Sequence, residues 1–508
     1  MPKLINKFYG GIARDEKTKS VGVASNIEEI DILENADFIQ ATQIMTSDAM
    51  PSNTEVYAYC SDNADTVFGY GKRTDNSNEV RIVSLTQGGL DDPGAFATLM
   101  TSADTTNDCY QLSPIEYHSS DIGDANRLYY LTKNSTTITL KHCKTDGTSE
   151  TTDGTLTGLD GSGDRLFMRR IYGSLFVGNG QYISKVDKSG AFTEKAFTLP
   201  SGWIAVDMCE AGSSSLILAR NINSAHNITK GFFWDLTSLT QFDDSFDIPF
   251  GGPQWIIKHR ETIKILCAIN GKAKIFQVSA YAGGVPSAFP NMELSNIAIE
   301  TNNQPISSQR MVSIKDDIVY FGLWKTDKTA IYGLGQIDNN KPYALWLAKR
   351  YDTSNYANHT PYALFIDGPN FFGAFSDNGT ADHCRCETRN SPTRSSNAVY
   401  ETIVIDDELQ SSLGKLEEVF VTTKPLGGNG TKVNISIDPN YSGTYTQIYQ
   451  SDGTTMQNTS DTIGVFKPRL VEVKVFKIKM ALESNGTTSP KVTGIGWNLT
   501  KQGTIAMK

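Results

Sequence analysis

The sequence predicts an all-β protein, a β-propeller of about six or seven degenerate blades followed by a C-terminal β-sandwich. Three observations predict it. Short β-branched and aromatic runs closed by Asn, Asp, Gly, Ser or Thr fill the chain; helical periodicity is nearly absent; and one strand-turn-strand phrase returns every few tens of residues.

Taken in order, the runs include FIQATQIM (38–45), EVYAYC (55–60), TVFGYG (66–71), EVRIVSL (79–85), RLYYLT (127–132) and TITLKHC (137–143). The plausible helix starts are short, such as Asn26 to Glu34, where an Asn precedes a Glu-rich segment. The repeated phrase is clearest at 172–197, 259–278, 315–338 and 368–387, where a polar or Gly turn feeds an apolar strand, a second turn and another strand. Two of these second turns contain Asn-Gly, at Asn179-Gly180 and Asn270-Gly271, a pair suited to tight hairpins because both central residues take positive φ. Units of roughly 40 to 55 residues are the size of propeller blades, which bury a core only by stacking.

Near residue 407 the pattern changes. IDDELQSSLGK reads as a linker or short helix, and the remainder as separate antiparallel strands: 417–425, 431–438, 445–450, 471–482 and 490–500. The alternation in VEVKVFKIKMAL (471–482) marks a half-exposed strand until its phase slips. The expected organisation is an extended N-terminal arm over 1–35, the propeller over 36–406 and the sandwich over 407–508, of a size normal for that architecture.

At 508 residues the chain has ample material for more than one core. Its 46 Lys and Arg against 56 Asp and Glu give a net charge of −10, which argues against broad nucleic-acid or anionic-membrane binding. The opening MPKLINKFYGGIARDEKTKS lacks the apolar core of a signal peptide, and no run approaches the ~18 apolar residues of a membrane span. Seven scattered cysteines do not form a secreted disulfide framework and are expected to be mostly buried thiols.

Several residues invite chemistry. His383, Cys384 and Cys386 form the tightest cluster of metal-ligand types, and a Cys-x-Cys strand points both thiols to one face, yet no second pair completes a four-ligand site. The Asp-rich turns at 61–66, 160–164 and 242–247 could gather oxygens around calcium but also suit ordinary β-turns. Asp243, Asp244 and Asp247 could form a glycosidase pair, and the six histidines (118, 142, 226, 259, 359 and 383) are scattered. Phe232, Phe233, Trp234, Trp255, Trp324 and Trp346 are expected to fill wedges between sheets rather than stack on sugars. With no nucleophile elbow, Walker loop, zincin helix or dinucleotide fingerprint, the expectation is a protein that is not an enzyme, with no assigned catalytic, cofactor-binding or metal residues and no cofactor.

The opening KFYGGIARDEKTKSVGVASNIEEIDIL (7–33), followed by AYCSDNADTVFGYG (58–71) and closed by SPKVTGIGWNL (489–499), resembles the β-propeller tail structural proteins of tailed bacteriophages, including nozzle-like subunits. The resemblance implies a ring subunit, expected as a hexamer, contacting neighbouring tail or head-to-tail adaptor proteins. It implies assembly in the host bacterial cytoplasm, residence in the virion tail, and passage of DNA without specific binding. The acidic composition suits such a conduit, since a wall that is not basic lets the polymer slide. An arm over 1–25, ordered on docking to a neighbour, is where this likeness locates function. The alternatives are a tail-associated receptor- or glycan-binding propeller, sensitive to loss of Trp324, and a propeller hydrolase.

Overall fold

The computed structural model describes residues 3–501 except 6–23, 29, 32–37, 43–45, 48–49, 63–65, 74–78, 87–94, 103–107, 110–114, 120–125, 136, 157–165, 223–227, 270–271, 280–286, 294–311, 326–327, 336–343, 351–359, 368–369, 378–379, 387–393, 397, 406–412, 427–429, 458–459 and 470. Every regular element of the described residues is a strand.

Seven small antiparallel sheets of four or five strands follow one another along the chain. They form blade 1 (54–101), blade 2 (108–156), blade 3 (166–198), blade 4 (203–248), blade 5 (253–293), blade 6 (312–350) and blade 7 (360–386). The inner strands touch in sequence, and that of blade 7 touches that of blade 1, so the ring is closed. Each wedge between neighbouring blades holds its own apolar cluster. Tyr70 with Tyr130 fills the first, Leu131 with Val177 the second, Phe197 with Trp234 the third and Cys209 with Ile265 the fourth. Trp255 with Phe321 fills the fifth, Tyr320 with Phe371 the sixth and Tyr59 with Phe372 the last. Trp234, Trp255 and Trp346 thus fill wedges, as expected.

Closure depends on a strand from far away in sequence. Thr46–Ser47 pairs with Thr380–Cys386 as the outermost strand of blade 7, so the last blade is completed by the start of the chain. Local turn chemistry fastens two of the hairpins. Tyr172 and Gly173 (φ 48° and 80°) and Asp316 and Asp317 (φ 49° and 66°) make two-residue hairpins of the mirror-image type whose twist matches that of the strands.

Three blades share a packing device. Gly178, Gly231 and Gly333 lie directly across from Phe167, Phe246 and Trp346, whose rings occupy the space where a glycine Cβ would stand. A methyl at Gly333 would sit 2.5 Å from the Trp346 ring. Without a side chain there, the ring lies flat on its neighbour strand and offers its other face to the wedge.

The C-terminal part is one ten-stranded sheet curled so that its halves pack face to face. Gly414–Thr423 and Val492–Lys501 belong to one half, Lys432–Pro439 and Phe476–Glu483 to the other, and Thr446–Gln450 pairs with both. Three strands from elsewhere join this sheet. Lys3–Ile5 pairs with Val492–Lys501, and Ala24–Glu28 pairs with Ala398–Thr402, which itself pairs with Phe476–Glu483. The segment 26–34, read as a helix start, is therefore strand in its described part: Ala24–Glu28 pairs as above and Ile30–Asp31 pairs with Gln40–Ala41. Burial of Ile27 and Ile30 in the tertiary core outweighs the weak local helical signal. The phase slip at 471–482 also has a cause. Val471–Val473 pairs with Gly414–Thr423 while Phe476–Glu483 pairs with Lys432–Pro439, so the chain crosses between halves there.

Propeller and curled sheet share one core. Ile318, Tyr320, Trp346, Leu364 and Phe371 of blades 6 and 7 pack in the same cluster as Tyr400, Val419, Ile435, Met480 and Trp497. Polar contacts pin the seam as well: Arg394 donates to Ala41 O at 2.7 Å, Ser489 Oγ accepts from Ala41 N at 2.9 Å, and Thr42 Oγ1 donates to Ala348 O.

Candidate functional site at the propeller axis

Inner strands of a propeller line its axis, and the axis is where this protein gathers charge. The strands Leu166–Ile171, Trp203–Ala211 and Pro253–His259, with Val312, enclose a cleft of about 220 Å³. Arg169, Arg170, Glu210 and Lys258 line it beside the apolar Met208 and Ile256.

Behind this lining lies Asp207, 1% exposed, at a bulge in its strand. Arg169 grips it side-on, Nε to Oδ1 at 2.8 Å and Nη2 to Oδ2 at 3.1 Å. The same carboxylate accepts backbone N–H bonds from Met208 at 2.8 Å and Ile256 at 3.1 Å. One buried anion thus joins blades 3, 4 and 5, and its desolvation is offset by a bidentate guanidinium and two amides. Both its oxygens are committed, which suits a structural keystone. Cys209 follows it in a blade wedge, where burial pushes the thiol well above its ordinary value and keeps it protonated.

With Asp207 and Arg169 neutralising each other, Arg170 and Lys258 face Glu210, a cationic excess on a chain of net charge −10. Arg170 also donates to Ser119 of blade 2 at 3.2 Å. On one rim, hairpin tips bind across blades: Tyr172 donates its hydroxyl to Gly212 O, and Arg260 forms an ion pair with Asp317. His259 places Nε2 2.8 Å from Asp317 O, so that nitrogen carries the proton; burial lowers the ring below its usual value.

Two further buried groups stand out. His142 Nδ1 lies 2.7 Å from Asp153 on the outer strands of blade 2. Lys264, 0% exposed in blade 5, donates to Gln277 Oε1 from the strand face it shares with Leu266 and Ala268. Burial lowers its ammonium from 10.5 to about 8. The folded value lies below the unfolded one, so the unfolded chain holds more protons between about pH 8 and 10.5, and stability rises with pH across that window. Lys264→Met is expected to raise stability by about 1 kcal/mol at pH 7 and by nothing above pH 11, read from urea midpoints at both pH values. A destabilised variant at pH 7 would show that the amine is worth more than its desolvation.

The residues singled out in the sequence do not converge here. Asp243 and Asp244 lie at the rim of blade 4, and Asp247 on its outermost strand pairs with Lys230 at 3.4 Å while largely exposed. None lines the axial cleft. In the turn 61–66, Asp62 accepts from Thr66 N at 3.2 Å; 160–164 lies outside the described residues. His383, Cys384 and Cys386 fall in Thr380–Cys386, and Trp324 in Ile318–Lys325, but their side chains lie outside the described set, as do residues 6–23 of the arm. Cys60, Cys143, Cys209 and Cys267 are buried free thiols, as expected. Asp207 and Arg169 escaped notice, although an Asp inside the apolar run WIAVDMCEA was a usable signal for a buried partner.

Fold and closure define a seven-bladed β-propeller joined to a curled β-sheet module. No protein-family model matches the chain, and no curated protein matches it. Solved structures it resembles include an exo-β-1,3-galactanase from Phanerochaete chrysosporium, at 10% identity over 90% of this chain and 100% of that one, TM-score 0.32. A glycoside hydrolase family 43 arabinoxylan arabinofuranohydrolase from Bacillus subtilis matches at 10% identity over 90% and 96%, TM-score 0.27. A prolyl endopeptidase matches at 9% identity over 69% and 54%, TM-score 0.40. These neighbours are enzymes, against the expectation of a chain that is not one. Likeness at this level transfers neither a substrate nor a catalytic residue.

Proposed function

We propose that the chain is a ring-forming subunit of a bacteriophage tail, of the nozzle-like kind, acting in the virion beside other tail or adaptor proteins. One observation carries the ring: apolar side chains on blade 4, where Ile222 (56% exposed), Ile228, Leu239 (64%) and Phe242 meet solvent on the two loops that flank Thr229–Trp234. Exposed apolar side chains on one blade favour a subunit contact, and a face meeting a different surface on the next copy generates a ring. The sequence likeness at 7–33 and 489–499 supports the tail, and the shared core of propeller and module supports a stiff block. A cleft of about 220 Å³ admits no DNA duplex, so the conduit in this reading is the hole enclosed by the copies.

Light scattering and electron-microscope class averages test it. Rings of six copies are expected, alone or with the neighbouring tail proteins, and the double variant Ile222→Lys/Leu239→Lys is expected to leave monomers of unchanged thermal midpoint. A monomer at every concentration and in every mixture sinks the reading.

A second reading, a propeller hydrolase, draws on Glu210 standing at the axial cleft among cationic groups. Turnover of a polysaccharide or peptide panel that Glu210→Gln abolishes would establish it.

A further inference from the structure

A second cleft lies in neither the axis nor a blade. Thr446–Gln450 leaves Lys432–Pro439 at one end and meets Ile463–Lys467 through only two residues, Tyr449 and Gln450. The splay between these strands opens a cleft of about 710 Å³ on the C-terminal module. That is within the ~300–1,000 Å³ of small-molecule sites.

Its lining divides by chemistry. Ile437 and Ile448 are buried and give an apolar floor. Tyr449, 44% exposed, stands at the wall with Gln447, and neither side chain has a hydrogen-bond partner among the described residues. The charged lining groups are Lys467 and Arg469, both cations. Lys467 has only a long contact, 3.9 Å, to Glu418. Arg469 is exposed and forms no ion pair or hydrogen bond among the described residues. On a chain with ten more acidic than basic groups, a cleft with two cations and no carboxylate in its lining is selective by sign.

We infer that this cleft binds an acidic oligosaccharide, a sugar chain bearing carboxylates. Arg469 meets the carboxylate with a bidentate fork, Tyr449 lies against a ring face, and Gln447 both donates to and accepts from hydroxyls. Amides and an aromatic wall distinguish this arrangement from a bare cationic patch, which would suit any polyanion. The inference does not rest on the ring reading: its site is remote from blade 4 in sequence and its readout is ligand affinity.

Calorimetric titration of the full chain with tri-galacturonate, neutral galactotriose and poly-glutamate tests it. Tri-galacturonate is expected to bind at least tenfold more tightly than galactotriose. Arg469→Ala and Tyr449→Ala should each weaken it at least tenfold while leaving the thermal midpoint unchanged, since both side chains are exposed. Equal affinity for the neutral sugar overturns the proposal. So does indifference to Arg469→Ala, tighter binding of poly-glutamate, or no heat from the acidic sugar, including glucuronate and N-acetylneuraminate oligomers.

Discussion

Asp207→Ala is expected to cost about 3–5 kcal/mol, more than any surface change in the propeller, because it removes the acceptor on which three blades converge. Arg169 would lose its carboxylate partner at 2.8 Å, and the amides of Met208 and Ile256 would lose their acceptor inside the ring. The pair Lys230–Asp247 is the natural contrast. Its carboxylate is largely exposed, so Asp247→Ala should stay within about 0.5 kcal/mol of the parent. Urea unfolding followed by fluorescence measures both. The double variant Arg169→Met/Asp207→Leu should regain most of the loss, since an apolar pair needs no compensation for desolvation. Parental stability in Asp207→Ala would mean that water replaces the carboxylate and that the three-blade link is not structural.

Trp346→Ala is the second large effect, about 3–5 kcal/mol from the cavity alone. Trp346 packs over Gly333 on one side and belongs to the core shared by blades 6 and 7 and the curled module on the other. The cross-strand neighbour is a glycine, which has no side chain to fill the space. Because the same cluster holds Tyr400, Met480 and Trp497, the loss should also loosen the seam. Calorimetry of the parent is expected to give one cooperative transition and of the variant two, the module melting apart from the blades. A single transition at the parental temperature would show that the seam does not depend on this ring.

Much of the architecture was legible because propeller blades are built from local instructions. Gly180-Gln181, between the paired Asn179 and Tyr182, and Asp316-Asp317 carry their turns in two residues, and strands such as LFMRRI and SLFVGN carry burial in their composition. What escaped was non-local. Thr46–Ser47 contains nothing that names Cys384 and Arg385 as its partners, and Ala24–Glu28 looks locally like a helix start until Ala398–Thr402 lies beside it. The axial cleft escaped for the same reason: Arg169, Asp207 and Ile256 are 38 and 49 residues apart and meet only because blades stack. Asp243, Asp244 and Asp247 were conspicuous for their density, yet Asp244 and Asp247 lie on the outermost strand of blade 4 and none of the three lines the axial cleft.

The pairing of Lys3–Ile5 with Val492–Lys501, and of Thr46–Ser47 with the strand ending at Cys386, sets a schedule for biogenesis. Lys3–Ile5 and Thr46–Ser47 are synthesised long before their partners, so they must wait until Val492–Lys501 and Thr380–Cys386 have been made. Contacts of such long sequence separation are slow to form, and blades finished early expose unpaired edges meanwhile. Those edges are open to aggregation until the distant partners have been made. A premature stop even a few codons before Val492 leaves Lys3–Ile5 with no strand to join.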